Sequence, residues 1–126
     1  MRRVLYDREG APEHYLTGAG VVYSMGNRFV GSVQAGEPEP VLNAEGRVVA
    51  WMAGGFIWDA SGVLAFVKGA TPQGELKLPK TAPLRVPLSP TPAPLHPLLQ
   101  RIEPPPLHWA WSDKTLADVL VIQNHV

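Results

Sequence analysis

The sequence predicts a mainly β protein that consists of four tandem β-hairpins, a proline-rich extended arm and a short C-terminal helix. Three observations predict this order. One turn pattern occurs four times before residue 70, ten of the fourteen prolines lie between Pro79 and Pro106, and a helix-start signal follows Trp111. The predicted segments are residues 1–70, 71–108 and 109–126.

Two columns of turn-forming residues predict the hairpins. A polar residue that accepts backbone hydrogen bonds comes first, and a residue that tolerates positive φ follows three positions later. The first column is Asp7, Ser24, Asn43 and Asp59, and the second is Gly10, Asn27, Gly46 and Gly62. One hairpin cannot bury its own apolar face, but several neighbours can, so the repeat indicates one folded module.

The hairpins are predicted over residues 4–16, 21–33, 41–52 and 56–68. Glycines separate the first from the second and the third from the fourth. Residues 36–40 contain two prolines and are predicted as a loop, because proline removes a backbone donor from a strand. Short strands with turn signals at close intervals are typical of an all-β module.

The proline-rich arm covers residues 71–108, and its proline spacing favours polyproline II. Leucine or valine often fills the gaps between the prolines, whereas a free linker would carry polar residues there. We therefore expect the arm to dock on its own hairpins or on a neighbouring subunit. A short helix is predicted to interrupt it over residues 95–101.

The last segment, residues 109–126, places Trp109 and Trp111 on the same side of an extended stretch, and we expect both to dock. Ser112 and the acidic residue after it are typical of a helix N-terminus. A helix is therefore predicted from Asp113 to about Ile122.

Composition gives no argument for a nucleic-acid or membrane partner. Eleven basic residues balance eleven acidic ones, so the formal net charge is zero. A charge near zero favours self-association, and a homo-oligomer is a possible assembly. The chain has no cysteine, which excludes disulfides and leaves the compartment open. It also has no apolar stretch of about 18 residues, and it is predicted to be soluble and cytoplasmic.

The sequence resembles the four-fold β-flower proteins. The resemblance rests on the four turn units, on the segment Gly55-Phe56-Ile57-Trp58-Asp59 that opens the last unit, and on Trp111-Ser112 before the final helix. It covers nearly the whole chain. It implies four β-hairpins around a pseudo-four-fold axis, and it implies no particular activity.

Catalytic and metal sites have no support in the residue pattern. The four histidines lack metal-ligand spacing, and no cofactor is expected. Asp7 and Asp59 could be interpreted as a carboxylate pair, but their identical place in the repeat favours a turn role.

The aromatic residues leave two functions open. Tyr6, Tyr23 and Trp58 share one repeat column, and Trp51 lies on a return strand. A ring of such side chains around the axis is expected to be buried core. The favoured function is a non-enzymatic structural or protein-interaction module with an unknown protein partner. The alternative is a small-ligand or carbohydrate-binding module with an aromatic pocket near the axis.

Overall fold

The computed structural model describes residues 2–82 and 102–121. Eight antiparallel strands follow one another around a closed barrel, in which β8 pairs with β1. This arrangement of four hairpins confirms the predicted fold class. The strands are β1 Arg3–Tyr6, β2 Pro12–Leu16, β3 Val21–Ser24, β4 Phe29–Val33, β5 Glu39–Asn43, β6 Val48–Ala53, β7 Phe56–Asp59 and β8 Gly62–Phe66.

The first three hairpins share one turn. In the first hairpin, the Asp7 carbonyl accepts the N–H of Gly10, and the Asp7 carboxylate accepts the N–H groups of Glu9 and Ala11. Gly10, Asn27 and Gly46 have φ values of 78°, 64° and 85°, and the strand register shifts beside each turn. This is a turn that ends in a left-handed residue and a bulge.

The fourth hairpin uses a different turn. Asp59 pairs directly with Gly62, so only two residues form the loop. Gly62 has a φ of 146°, and a Cβ atom there would collide with the carbonyl oxygen of Ala110. The shared turn also occurs between the first and second hairpins. There Gly20 has a φ of 85°, and its N–H donates to the carbonyl of Thr17. From the sequence, that stretch is predicted as a spacer only.

A central apolar cluster draws on all eight strands. Successive residues of a strand point to opposite faces, and paired residues on neighbouring strands share a face. In the first strand of each hairpin, the residue that points inwards comes directly before the repeat position that holds Tyr6, Tyr23 or Trp58, here called the aromatic column. These inward residues are Leu5, Val22, Val41 and Ile57, and their partners across each hairpin are His14, Gly31, Ala50 and Ala65.

The aromatic column therefore points away from the axis, and the expected aromatic ring around the axis is wrong. Tyr6 belongs to an outer cluster with Phe66 and Leu76, here called the arm cluster. Tyr23 stacks on Tyr15 with ring centroids 5.3 Å apart. Aliphatic side chains occupy the centre instead.

Strand β5 begins earlier than the sequence predicts. Glu39 and Pro40 were expected in a loop, but they pair with Met52 and Trp51 of β6. Proline is tolerated near the start of a strand. The Pro40 carbonyl also accepts a hydrogen bond from the N–H of Gln34 at 2.9 Å.

The C-terminal helix, α1, is shorter than predicted and spans Leu116–Leu120. Its N-cap is Thr115, whose hydroxyl accepts the N–H of Asp118, while the Asp118 carboxylate accepts the N–H of Thr115. Leu116 and Leu120 are buried against the central cluster. The helix predicted over residues 95–101 lies outside the described residues, as does most of the proline run.

Alanine substitutions at two turn glycines should have different costs. Gly46→Ala should lower the unfolding free energy by about 1 kcal/mol, the usual strain of a side chain at positive φ. Gly62→Ala should cost clearly more, because its Cβ atom would also displace the backbone at Ala110. Urea unfolding of both variants tests this, and equal costs would contradict it.

Candidate functional site

The C-terminal segment docks on the barrel beside the seam between β1 and β8. That seam contains one cross-strand pair, Tyr6 with Phe66. Next to it, the Val63 N–H donates to the carbonyl of Ala110 at 2.7 Å, and the Val63 carbonyl accepts the N–H of Ser112 at 2.9 Å. Trp111 thereby forms a parallel bridge with β8.

Both tryptophans of this segment contact aromatic side chains of the hairpins. The Trp109 ring meets Phe56 edge-on with centroids 5.0 Å apart, and Trp111 lies 6.1 Å from Phe66. Both belong to the arm cluster. The described part of the C-terminal segment therefore contacts the hairpins of its own chain.

The described ends of the proline-rich arm also contact the barrel. The N–H of Ala82 donates to the carbonyl of Gly10 at 3.1 Å. On the far side of the proline run, the Trp58 indole N–H donates to the carbonyl of Pro105 at 3.1 Å. Trp58 is 5% exposed, as the favoured interpretation of the aromatic residues as buried core expects.

Asp59 anchors the last turn to the segment after Trp111. Its Oδ1 atom accepts the N–H groups of Ser61 and Gly62 and the hydroxyl of Ser112. Ser112 is 1% exposed, and its hydroxyl also bonds to the Ser61 hydroxyl and accepts the N–H of Lys114. The sequence predicts Ser112 as a helix cap instead, because its bond to Asp59 spans 53 positions and leaves no local signal.

Asp7 and Asp59 lie at separate surface depressions and do not share a cleft. The structure therefore lends no support to a carboxylate pair. Among the described residues, no group of three or more histidine, aspartate or glutamate side chains could hold a metal ion. The described part of the chain also contains no helix with the length and apolarity of a membrane span.

A groove runs along the outer face of the third and fourth hairpins. Trp51 and Trp58 form a cross-strand pair there, so both side chains are on one face. Two adjoining depressions of about 650 and 480 Å³ form this groove, here called the Trp51 groove. The residues common to both depressions are Gly36, Glu37, Pro38 and Pro104.

The charged side chains of the Trp51 groove are all acidic. Glu37, Glu39 and Glu103 line it, and no basic side chain is among its described lining residues. The rest of the lining is apolar or proline. The sequence pattern identifies both tryptophans as candidate site residues, but it does not predict the groove. The opposite wall of the groove comes from residues about 50 positions further along the chain.

His14 faces the interior of the barrel beneath α1. It is 4% exposed, and its Nδ1 atom has no hydrogen-bond partner in the described structure. The residues predicted from the sequence to form a site do not include it. The repeat could have identified His14, because the residues at the equivalent inward position of the other hairpins are all small. They are Gly31, Ala50 and Ala65.

Docking of the C-terminal segment should matter for stability. Trp111→Ala should lower the unfolding free energy by about 2 kcal/mol or more, since it removes a large side chain from the arm cluster. Trp51→Ala is the matched control and should cost less, because Trp51 is half-buried like Trp111 but lies outside the three apolar clusters. Guanidinium unfolding distinguishes the two, and a larger loss for the control would contradict the docking role.

Burial of His14 should make stability depend on pH. Burial lowers the pKa of His14 from 6.5 to about 4. The unfolded chain therefore binds this proton at higher pH, and the contribution to stability is complete above pH 6.5 and is lost as the pH falls towards 4. Protonation of His14 on unfolding should lower the unfolding free energy of the wild type by roughly 3 kcal/mol between pH 7 and pH 4.

The variant His14→Leu isolates that effect. At pH 7 it should be at least as stable as the wild type, because it removes a buried nitrogen without a partner. Its stability should fall less steeply between pH 7 and pH 4. Chemical unfolding at a series of pH values measures both quantities, and parallel pH profiles for the two proteins would contradict the buried neutral state.

Nearly the whole chain matches a known protein family. The model of the 4-fold beta flower protein family matches residues 3–120. No curated protein and no solved structure matches the chain. The matched range includes all eight strands, the tryptophan segment and α1. The family resemblance predicted from the turn units is confirmed, and the chain belongs to the 4-fold beta flower family.

Proposed function

We propose that the protein is a non-enzymatic protein-interaction module that binds an extended basic segment of a partner in the Trp51 groove. One observation carries the proposal: an open apolar groove on the outer face is edged by three glutamates, with no basic side chain among its described lining. Such a surface attracts positive charge and offers apolar contact between the charges.

The shape of the groove supports an extended ligand. The groove lies between the loop at Gly36–Pro38 on one side and Pro104 on the other, and it continues from one depression into the next. Prolines in an extended ligand would reduce the entropy lost on binding and pack against the Trp51 indole. A basic side chain of the ligand would gain both a carboxylate partner and the aromatic face.

The alternative function, ligand binding in an aromatic pocket near the axis, loses its support. The centre of the barrel is occupied by leucine, valine, isoleucine and methionine side chains. Tyr6 and Tyr23 belong to different outer clusters and do not converge. The half-buried Trp51 side chain instead lines the acidic groove on the outside of the barrel.

A second copy of this chain is one source of the proposed ligand. The proline-rich sequence contains Arg85 and Arg101 among its prolines, so it has the required chemistry. A different protein with a similar segment is the other source. Self-association through the groove would also fit the zero net charge of the chain.

Binding can be tested with a fluorescently labelled short peptide of alternating proline and arginine. Fluorescence anisotropy should show saturable binding that weakens as salt rises. A proline–glutamate peptide of the same length should not bind. Trp51→Ala should weaken binding about tenfold or more, as expected for a central aromatic contact.

Two charge variants sharpen the test. Glu37→Gln and Glu103→Gln should each weaken binding a few-fold and reduce its salt dependence. Glu9→Gln is the matched control, since Glu9 is exposed on the first hairpin, outside the groove. Equal binding of the acidic peptide, no effect of Trp51→Ala, or binding of a neutral oligosaccharide in place of the peptide would overturn the proposal.

Light scattering distinguishes the two sources of the ligand. If the segment comes from a second copy, the wild type should form an oligomer and Trp51→Ala should shift it towards monomer. If it comes from another protein, both should be monomeric while the peptide still binds to the wild type.

A further inference from the structure

A small cavity lies beside His14, between the barrel and α1. Its volume is about 100 Å³. Leu5, Leu64, Ala65 and Leu116 give it an apolar lining. This cavity is separate from the Trp51 groove, and the two share no lining residue.

The fold does not require an imidazole at this position. In the other three hairpins, the equivalent inward position holds glycine or alanine, and the barrel closes around these small residues. His14 instead places an unpaired nitrogen in a buried site. Such a group costs stability unless a partner satisfies it. This cost indicates that the imidazole serves a ligand.

The surroundings restrict what that ligand can be. The cavity has room for about three water-sized groups. Its apolar lining disfavours a charged molecule, which would lose its hydration without compensation. Asp7 and Glu13 also line the cavity and would repel a carboxylate or a phosphate.

We propose that this cavity is a binding site for a short-chain alcohol, meaning a small apolar molecule with one hydroxyl group that hydrogen-bonds to Nδ1 of His14. A hydroxyl fits either tautomer of the imidazole, because it can both donate and accept. The alkyl part of the ligand lies against Leu5, Leu64 and Leu116. The proposal concerns a second site and does not depend on the groove.

Ethanol, with three non-hydrogen atoms, is a probe of suitable size for the full-length protein. Its titration, followed by NMR, should shift the His14 ring nitrogen and the Leu116 methyl signals in a saturable way, at concentrations on the order of millimolar. Ala65→Leu fills the cavity and should abolish the shifts. Ala19→Leu makes the same substitution in an exposed turn and should leave them unchanged.

A second variant keeps the test decisive if Ala65→Leu does not fold. His14→Leu replaces the imidazole by an apolar side chain of similar size and removes the hydrogen bond, so it should weaken ethanol binding about fivefold. Shifts that do not saturate would show that the alcohol does not bind in the cavity, and equal binding by His14→Leu would show that His14 does not hold it. Either result would overturn the proposal. Undiminished binding by a folded Ala65→Leu would overturn it as well.

Discussion

The closure between β1 and β8 is the constraint on which the rest of the barrel depends. One cross-strand pair, Tyr6 with Phe66, joins these two strands, whereas every other pair of neighbouring strands is joined by three or four. The segment at Trp111 compensates for this weak seam. It adds two backbone hydrogen bonds to Val63 and covers Phe66 with an indole ring. The C-terminal segment is therefore a structural part of the barrel.

That cover also explains why the aromatic column faces outwards. The interior of an eight-stranded barrel is just wide enough for its own side chains, and here it holds aliphatic residues opposite alanine or glycine in three of the four hairpins. Tyr6 and Trp58 are placed outside, where the arm and the tryptophan segment bury them. Without that cover they would form an exposed apolar patch, which favours aggregation.

Local chemistry makes the turns predictable from the sequence. It does not predict which residues of each strand point towards the interior of the barrel. Asp7 and Gly10 determine their turn through bonds within five residues, so the sequence pattern contains the whole signal. Leu5 and Tyr6 are both apolar, and the pattern alone does not show which one points inwards. The diameter of the closed barrel decides this, and it is a property of all eight strands together.

The candidate sites depend even more on distant parts of the chain. Ser112 has the side chain of a good helix cap, and its hydroxyl accepts the N–H of Lys114, but it also donates to Asp59, and the helix begins later, after Thr115. The Trp51 groove exists only because residues after the proline run return to the third hairpin. His14 is the exception, since its place in the repeat, opposite Leu5, distinguishes it from the small residues at the equivalent positions of the other hairpins.

The weak seam has a consequence for how the chain reaches this fold. Each hairpin joins residues that are close in sequence, so its loop is short and closes at little entropic cost. The seam joins Tyr6 to Phe66, sixty positions apart, and its cover comes from residues more than forty positions further on. Non-local contacts of this kind form slowly. During synthesis the four hairpins emerge before the segment that covers their seam, so a nascent chain exposes Tyr6 and Phe66 until the segment around Trp111 has been made.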